Sequence, residues 1–132
     1  MTPHVATAAD WKNEPLPERH VRLTLDFSLD ATESACVRRG LIPLEMEDKW
    51  FLYYAGETLH LHRSWTGFCI ARVHFVPDGD GLRAISAEVN REPQQYTASD
   101  DAADIDLIER LVRGMGAAQQ YLAERRIAIC PR

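Results

Sequence analysis

The stretch that decides the fold is residues 49–90, which read KWFLYYAGETLHLHRSWTGFCIARVHFVPDGDGLRAISAEVN. Apolar and polar side chains alternate along four short runs, and this period of two is typical of half-buried strands. Turn-forming residues separate the runs at 55–57, 64–67 and 77–81. Four consecutive strands joined by tight turns predict an antiparallel β-meander.

A further strand and a short helix are predicted before the meander. Residues 20–29 (HVRLTLDFSL) alternate apolar and polar side chains without interruption, as a half-buried antiparallel strand does. Asp30 and Glu33 have the spacing of a capping box, and Gly40 suits a left-handed helix end. We therefore predict a short helix over residues 30–40.

A longer amphipathic helix is predicted after the meander, from about Asp101. Gly114 and Gly116 weaken its middle and mark a place where it can divide. The predicted fold class is α+β, an antiparallel meander in the order β-α-β-β-β-β-α with one face covered by the C-terminal helix. The apolar side of that helix carries Ile105, Ile108, Val112, Met115 and Leu122.

The length of 132 residues predicts one domain, which we place at residues 20–132. Residues 1–19 contain Pro3, Pro15 and Pro17 and show no period, so they are predicted to form a flexible N-terminal arm. The arm lacks the basic start and continuous apolar run of a signal peptide. No apolar run approaches the length of a membrane span, so no membrane association is predicted.

Charge and cysteine content bound the cellular setting and the partners. The net charge of −5 argues against a non-specific grip on a nucleic acid duplex, which requires a basic surface. The three cysteines are widely spaced and odd in number, so a reducing, cytoplasmic setting is predicted.

No cofactor signature is present. His60, His62 and Cys69 could hold a metal ion, but two histidines and one cysteine are a weak signature and no metal is predicted.

The predicted turns suggest a register for the central strands, because residues opposed across strands share a face. This register defines two faces, and the one away from the helix mixes aromatic and titratable groups, as the walls of small-molecule pockets do. One predicted face, beneath the helix, carries Phe51, Tyr53, Leu59, Leu61, Phe68 and Ile70; the other carries Trp50, Leu52, Tyr54, His60, His62, Cys69, Ala71 and Val73. Arg72 and His74 continue the third meander strand and could line the same surface.

The candidate catalytic residues are His60, His62, Glu47 and Asp48. The two histidines are spaced so that both rings can reach one point, and imidazole is the usual general acid or base near neutral pH. The alternative is that they are polar strand residues packed on Trp50 and Tyr54. Glu47 and Asp48 lie just before the first meander strand and could serve as acid–base groups or form a solvated acidic loop.

The candidate ligand-binding residues cluster at the hairpin tip. Arg63 offers a forked set of donors to a phosphate or carboxylate, and Trp65 offers a flat face to a base or sugar. The alternative is that Trp65 packs on a neighbouring loop and Arg63 pairs with Glu47 or Asp48. The predicted ligand-binding set comprises Arg63, Ser64, Trp65, Thr66, Trp50 and Tyr54, with Asn90 and Arg91 at the end of the last strand.

Three segments resemble a family of small bacterial domains in which an acidic-Lys-Trp-Phe segment leads to an Arg-Ser-Trp-Thr-Gly hairpin. They are EMEDKWFLYY (45–54), LHLHRSWTGFCIARVHF (59–75) and VNREPQQY (89–96). The resemblance covers about residues 20–113 and leaves residues 117–132 as an extension. The family is associated with proteins that process ADP-ribosyl groups. The resemblance therefore implies a nucleotide-diphosphate ligand and assigns no residue a role.

Two functions are open at this point. The first is binding or hydrolysis of an ADP-ribose-like or other phosphate-bearing small molecule. The second is a protein-interaction module of the antitoxin or immunity type, which acts without catalysis and presents aromatic anchors to its partner. The burial of Trp65 bears on both, because a fully packed indole could neither stack on a ligand nor anchor a partner.

Overall fold

The computed structural model describes residues 4–129, which form one five-stranded sheet and three helices. Every neighbouring pair of strands is antiparallel, and the strand order is β1-β5-β4-β3-β2. The predicted α+β class with an antiparallel sheet is confirmed. The strands are β1 (His20–Leu29), β2 (Trp50–Ala55), β3 (Thr58–Arg63), β4 (Cys69–Asp78) and β5 (Gly81–Asn90); the helices are α1 (Ala31–Arg39), α2 (Asp101–Arg113) and α3 (Met115–Ile129).

The three helices pack on one face of the sheet, which we call the helix face. The core therefore lies between this face and the helices, and it includes Val37 of α1, Ile108 and Val112 of α2, and Met115 of α3. The sheet contributes mainly alternate residues to this core, as a pleated strand requires. These include Leu23, Leu25, Phe27, Leu29, Leu52, Leu59, Leu61, Ala71, Val73, Phe75, Leu82, Ala84, Ala87 and Val89.

Helix α1 begins and ends where its capping residues predict. The Asp30 carboxylate accepts a hydrogen bond from the Glu33 backbone N–H at 2.7 Å, and the Glu33 side chain accepts one from the Asp30 N–H. Gly40 has a φ of 74° and donates its N–H to the carbonyls of Cys36 and Val37. These bonds satisfy backbone groups that a helix end leaves without partners.

The C-terminal helical region divides at Gly114, as the glycine pair predicts. Helix α2 ends at Arg113 and α3 begins at Met115. The apolar positions continue across the break, since Ile108, Val112, Met115 and Leu122 are all buried. Arg113 also contacts Glu33 of α1 at 3.2 Å, which joins the two helices at the surface.

The turn between β2 and β3 differs from the prediction by one residue. Only Gly56 and Glu57 form it, both with positive φ (59° and 62°), as in a type I′ hairpin turn. Trp50 consequently lies opposite Arg63, and Phe51 lies opposite His62. A shift of one residue exchanges the two faces of a strand. The prediction that Trp50, Leu52 and Tyr54 share a face with the histidines is therefore wrong.

A bulge in β4 changes the register between β3 and β4. His62 lies opposite Cys69, as predicted, but Leu61 lies opposite Ala71 instead of Ile70. The extra residue sends Ala71 and Val73 to the helix face and Arg72 to the opposite face, across from His60. The predicted placement of Ala71 and Val73 beside the histidines is corrected by this bulge.

The N-terminal segment lies against the folded body over residues 6–14, in contrast to the flexible arm expected from its prolines. The Ala6 N–H donates to the Arg39 carbonyl, and the Glu14 N–H donates to the Gly67 carbonyl, each at 2.8 Å. The Trp11 indole N–H donates to the Ser64 carbonyl at 2.9 Å. Pro3, part of the predicted arm, lies outside the described residues.

Two further sequence expectations concern the chain as a whole. Cys36 and Cys69 are free thiols, and Cys130 lies outside the described residues. Within residues 4–129, no helix has both the length and the apolar character needed to cross a membrane.

Candidate functional site

The face of the sheet opposite the helices, which we call the open face, carries a row of polar and aromatic side chains. Cross-strand pairing aligns one residue from each of the five strands in this row. In order from β2 to β1 they are Tyr53, His60, Arg72, Glu88 and Arg22. Thr58 and His74 form a second pair beside the row.

Six of these residues form what we call the open-face cluster: Arg22, Thr58, His60, Arg72, His74 and Glu88. The His74 Nε2 lies 2.7 Å from each carboxylate oxygen of Glu88, and the Arg72 Nη2 lies 3.2 Å from Oε1. The other imidazole nitrogen of His74, Nδ1, lies 3.0 Å from the Thr58 hydroxyl. A hydroxyl, an imidazole and a carboxylate are thus joined in one hydrogen-bonded chain.

Glu88 is held as an anion by its neighbours. Burial alone would raise the pKa of its carboxyl group, but the hydrogen bond from His74 and the charges of Arg72 and Arg22 together lower the pKa. Glu88 is the only carboxylate in the cluster, which also holds two guanidinium groups and two imidazoles. The cluster therefore offers excess cationic and donor groups on a protein of net negative charge.

His60 is neutral at physiological pH. Burial, followed by the nearby His62, Arg72 and His74, lowers its pKa to about 4. Its ring stacks on Tyr53 with centroids 4.4 Å apart and an interplanar angle of 6°. His60 can therefore donate or accept a hydrogen bond at pH 7 without carrying charge.

His62 shares the open face with His60 but fixes the β3–β4 loop. It is 2% exposed, and its Nδ1 donates to the Gly67 carbonyl at 2.9 Å. Burial lowers its pKa, although the bond to Gly67 opposes this effect. The neighbouring Cys69 is also buried, which raises the pKa of its thiol to about 12 and makes it a poor nucleophile. The predicted catalytic role of His62 does not fit this enclosed position.

Arg63, Trp50 and Tyr54 lie on the helix face, so the structure does not bring them together with His60 and His62. The Arg63 guanidinium lies 4.8 Å from the centroid of the Trp50 ring, in a cation–π contact. Tyr54 meets Phe75 edge-on at 6.1 Å. The predicted combination of an Arg63 anion ligand with a histidine acid or base is therefore wrong in its geometry.

The other hairpin residues have separate local environments. Ser64 is fully buried, and its hydroxyl donates to the Met46 carbonyl at 2.6 Å. The Thr66 hydroxyl accepts a hydrogen bond from the Phe68 N–H at 3.2 Å. Trp65 is 63% exposed and, with Trp11 and Met46, lines a shallow surface depression. Of the predicted ligand-binding residues in this loop, Trp65 alone presents a large side chain to solvent.

The two acidic residues predicted as acid–base groups lie away from the open-face cluster. Asp48 accepts hydrogen bonds from the backbone N–H groups of Leu44 and Glu45 and pairs with Arg125 of α3. Asp48 therefore joins the segment that precedes β2 to α3. Glu47 is exposed in the short 3₁₀ turn Met46–Asp48. The partner of Asp48 is therefore Arg125, and not Arg63, which the sequence analysis gave as an alternative.

Asn90 and Arg91 are also held by structural contacts. The Asn90 side chain is fully buried, donates to the Cys69 carbonyl at 2.8 Å and accepts from the Glu92 N–H at 2.7 Å. Arg91 pairs with Asp101 and with the buried Asp104 at the start of α2. Both residues fasten the loop after β5 and are poorly placed to reach a ligand.

Sequence reasoning found His60 and anticipated Arg72 and His74, but it missed Arg22, Thr58 and Glu88. A signal for Arg22 and Glu88 exists, since each is a polar residue in an alternating strand. Their meeting depends on the pairing of β1 with β5, which the sequence pattern does not indicate. Within residues 4–129, no group of three His, Cys, Asp or Glu side chains is arranged to hold a metal ion.

Comparison with known proteins does not identify a family for this chain. No protein-family model matches the chain, and no curated protein or solved structure shows significant similarity to it.

Proposed function

We propose that the protein binds a phosphate-bearing small molecule, of the nucleotide or ADP-ribose type, on the open face of its sheet. The observation that carries this proposal is the open-face cluster, in which His74, Arg72 and Arg22 lie around a single carboxylate, Glu88, and His60 lies beside Arg72. An anionic ligand would meet guanidinium groups already held in place, so little side-chain freedom would be lost on binding.

The anion ligands in this proposal are Arg72 and Arg22. The Arg72 side chain is 40% exposed, and its contact with Glu88 uses one of its nitrogens, which leaves donors for an oxyanion. Arg22 is exposed opposite Glu88 on the neighbouring strand. His60 supplies a neutral hydrogen-bonding group, and the Tyr53–His60 stack supplies an apolar edge for a ring.

Hydrolysis of the bound molecule is a natural extension, because the chain Thr58–His74–Glu88 can move a proton. In the tautomer that carries its proton on Nε2, directed to the Glu88 carboxylate, His74 presents Nδ1 as a proton acceptor towards the Thr58 hydroxyl. A water molecule in place of that hydroxyl contact would be activated by the same imidazole. Hydrolysis of ADP-ribose to AMP and ribose phosphate is the reaction to assay.

Calorimetric titration with inorganic phosphate, AMP, ADP and ADP-ribose tests the proposal. Arg72→Gln should weaken binding of the best ligand by about tenfold or more, as loss of a charge-assisted contact implies. Arg110→Gln is the matched control, since Arg110 is an exposed arginine of α2 on the helix side. Absence of binding by the wild type, or equal effects of the two substitutions, would refute the proposal.

A second function, the protein-interaction module, is favoured by the exposure of Trp65. An indole 63% exposed beside the 43% exposed Met46 resembles the aromatic anchors of interfaces. Trp65→Ala should abolish stoichiometric co-purification of a partner from the native cells, whereas Tyr121→Ala, at another exposed aromatic, should preserve it. Co-purification that is indifferent to Trp65, or no stoichiometric partner, would exclude this surface as the anchor.

A further inference from the structure

A cleft lies on the helix side of the molecule, remote from the open face. It is formed between the end of α1 with the residues that follow it, the N-terminal segment and α3. Its volume is about 570 Å³, within the range of roughly 300–1,000 Å³ that small-molecule sites occupy. The lining residues that matter here are Arg39, Leu41, Gln119, Leu122, Ala123 and Arg126.

Two buried polar atoms on the cleft residues have no hydrogen-bond partner among the described residues. They are the Nε of Arg39 and the Oε1 of Gln119. The Gln119 amide cannot be turned to satisfy Oε1, because its NH₂ group donates to the carbonyls of Cys36 and Gly40 at 2.8 and 2.6 Å. The Gln119 amide is therefore held in one orientation at the wall of the cleft.

The charge of the cleft favours an anion. Arg39 and Arg126 contribute two guanidinium groups. The carboxylate of Asp10 also lines the cleft, but it already accepts hydrogen bonds from His4 and from the Thr7 N–H, at 2.9 and 2.7 Å. The acidic group is thus engaged with its neighbours.

The remaining walls are apolar. Leu41 and Leu122 are buried at 6% and 8% exposure, and Ile42 and Ala123 extend the same surface. A ligand that fits these walls needs an apolar body as well as a charged end.

We infer that this cleft binds a small organic anion whose carboxylate or phosphate meets Arg39 and Arg126 and whose apolar body lies on Leu41 and Leu122. This site is independent of the ligand proposed for the open face, since no residue is shared between the two. Inorganic phosphate alone would bind weakly here, because it offers nothing to the apolar walls.

The test is an NMR titration of ¹⁵N-labelled protein with N-acetyltryptophan, a set of aryl carboxylates and a set of aryl phosphates, observing the Gln119 side-chain amide. N-acetyltryptophanamide is the neutral counterpart of the first probe. The anion should bind about fivefold or more tightly than the amide, since the amide lacks the charge that the guanidinium groups recognise.

Two alanines of α3 give matched variants that fill space. Ala123→Leu places a larger side chain in the cleft and should weaken binding about tenfold, whereas Ala117→Leu, at an exposed position of α3 that does not line the cleft, should leave it unchanged. Leucine is a good helix former, so neither change should unfold the helix.

Three results would overturn the inference. They are the absence of Gln119 shifts with every anion of the set, equal affinity for the anion and the amide, and equal binding by the two leucine variants. Arg72→Gln, which alters the open face, should leave the cleft affinity unchanged. Loss of the Gln119 shifts in that variant would instead assign the binding to the open face.

Discussion

The imidazole of His74 lies with Nε2 at 2.7 Å from both carboxylate oxygens of Glu88, on the face of the sheet away from the helices. The pair joins two neighbouring strands, because His74 belongs to β4 and Glu88 to β5. Glu88 also receives Arg72 from β4 and faces Arg22 across the β1–β5 ladder. One carboxylate therefore lies beside donor groups from two strands besides its own.

Glu88→Gln should destabilise the fold by about 1–3 kcal/mol, because the Glu88 side chain is only 10% exposed and its loss of charge leaves Arg72 and His74 without their anion. Urea denaturation at pH 7 measures the change. Asp26→Asn is the control, as Asp26 is 79% exposed in its pair with Arg83 and should cost less than about 1 kcal/mol. Equal effects of the two changes would show that the Glu88 contacts contribute little.

The partly buried His60 should make the protein less stable as the pH falls from about 6.5 to about 4. Its pKa is about 4 in the folded protein, against an ordinary histidine value of 6.5, so the unfolded chain takes up the proton first. Stability is complete above pH 6.5 and its loss is complete below pH 4. With a discount for partial exposure, the loss from His60 is on the order of 1–2 kcal/mol.

Denaturation curves across this pH range, for the wild type and for His60→Gln, measure the effect. The substitution should flatten the slope, leaving the smaller contribution of His62, whose pKa burial also lowers. His20→Gln replaces an exposed histidine and should retain the wild-type slope. An unchanged slope in His60→Gln would contradict the assignment.

Gly40→Ala should destabilise the protein by about 3 kcal/mol, from a positive φ and from steric overlap together. An added Cβ would lie 2.4 Å from the Leu52 carbonyl oxygen and 2.7 Å from the Ala6 Cβ. Gly79→Ala isolates the first cause, because Gly79 has a φ of 59° and open space around it, and it should cost about 1 kcal/mol. Thermal unfolding compares the two, and equal losses would exclude a role for the close packing.

Trp11→Phe should loosen the N-terminal segment without unfolding the sheet. The substitution keeps an aromatic ring but removes the indole N–H that donates to the Ser64 carbonyl. Hydrogen exchange at the Glu14 amide, whose partner is the Gly67 carbonyl, should accelerate about fivefold or more, as loss of roughly 1 kcal/mol implies. Trp65→Phe, at an exposed position, should leave this exchange unchanged. Faster exchange throughout the sheet would instead indicate global destabilisation.

Local sequence patterns predicted the elements well and their faces less well. The capping box of Asp30 and Glu33, the stop at Gly40 and the division at Gly114 depend on neighbouring residues, and all are confirmed. The face of β2 depends on whether the turn has two residues or three. Glu57 adopts a positive φ, which glutamate rarely does, and the sequence pattern therefore favoured the longer turn.

The composition of the candidate site was harder to predict, because it depends on contacts between distant residues. The bulge near Ile70 moves Arg72 across from His60, and no turn residue marks that bulge. Glu88 and Arg22 meet only because β1 returns to pair with β5. Arg63 and His62 are adjacent in sequence and therefore point to opposite sides of the strand, which separates the guanidinium from the imidazole.

The position of β1 at the far edge of the sheet has a consequence for the order of folding. Strands β2 to β5 are joined by short turns, so their hairpins can form by local encounters, whereas His20 must find Asn90 across 70 residues of chain. The closure of that long loop is the slow, entropically costly event, and Arg22 and Glu88 come together only when it is complete. The open-face cluster is thus assembled last, and a nascent chain cannot present it before β5 has been synthesised.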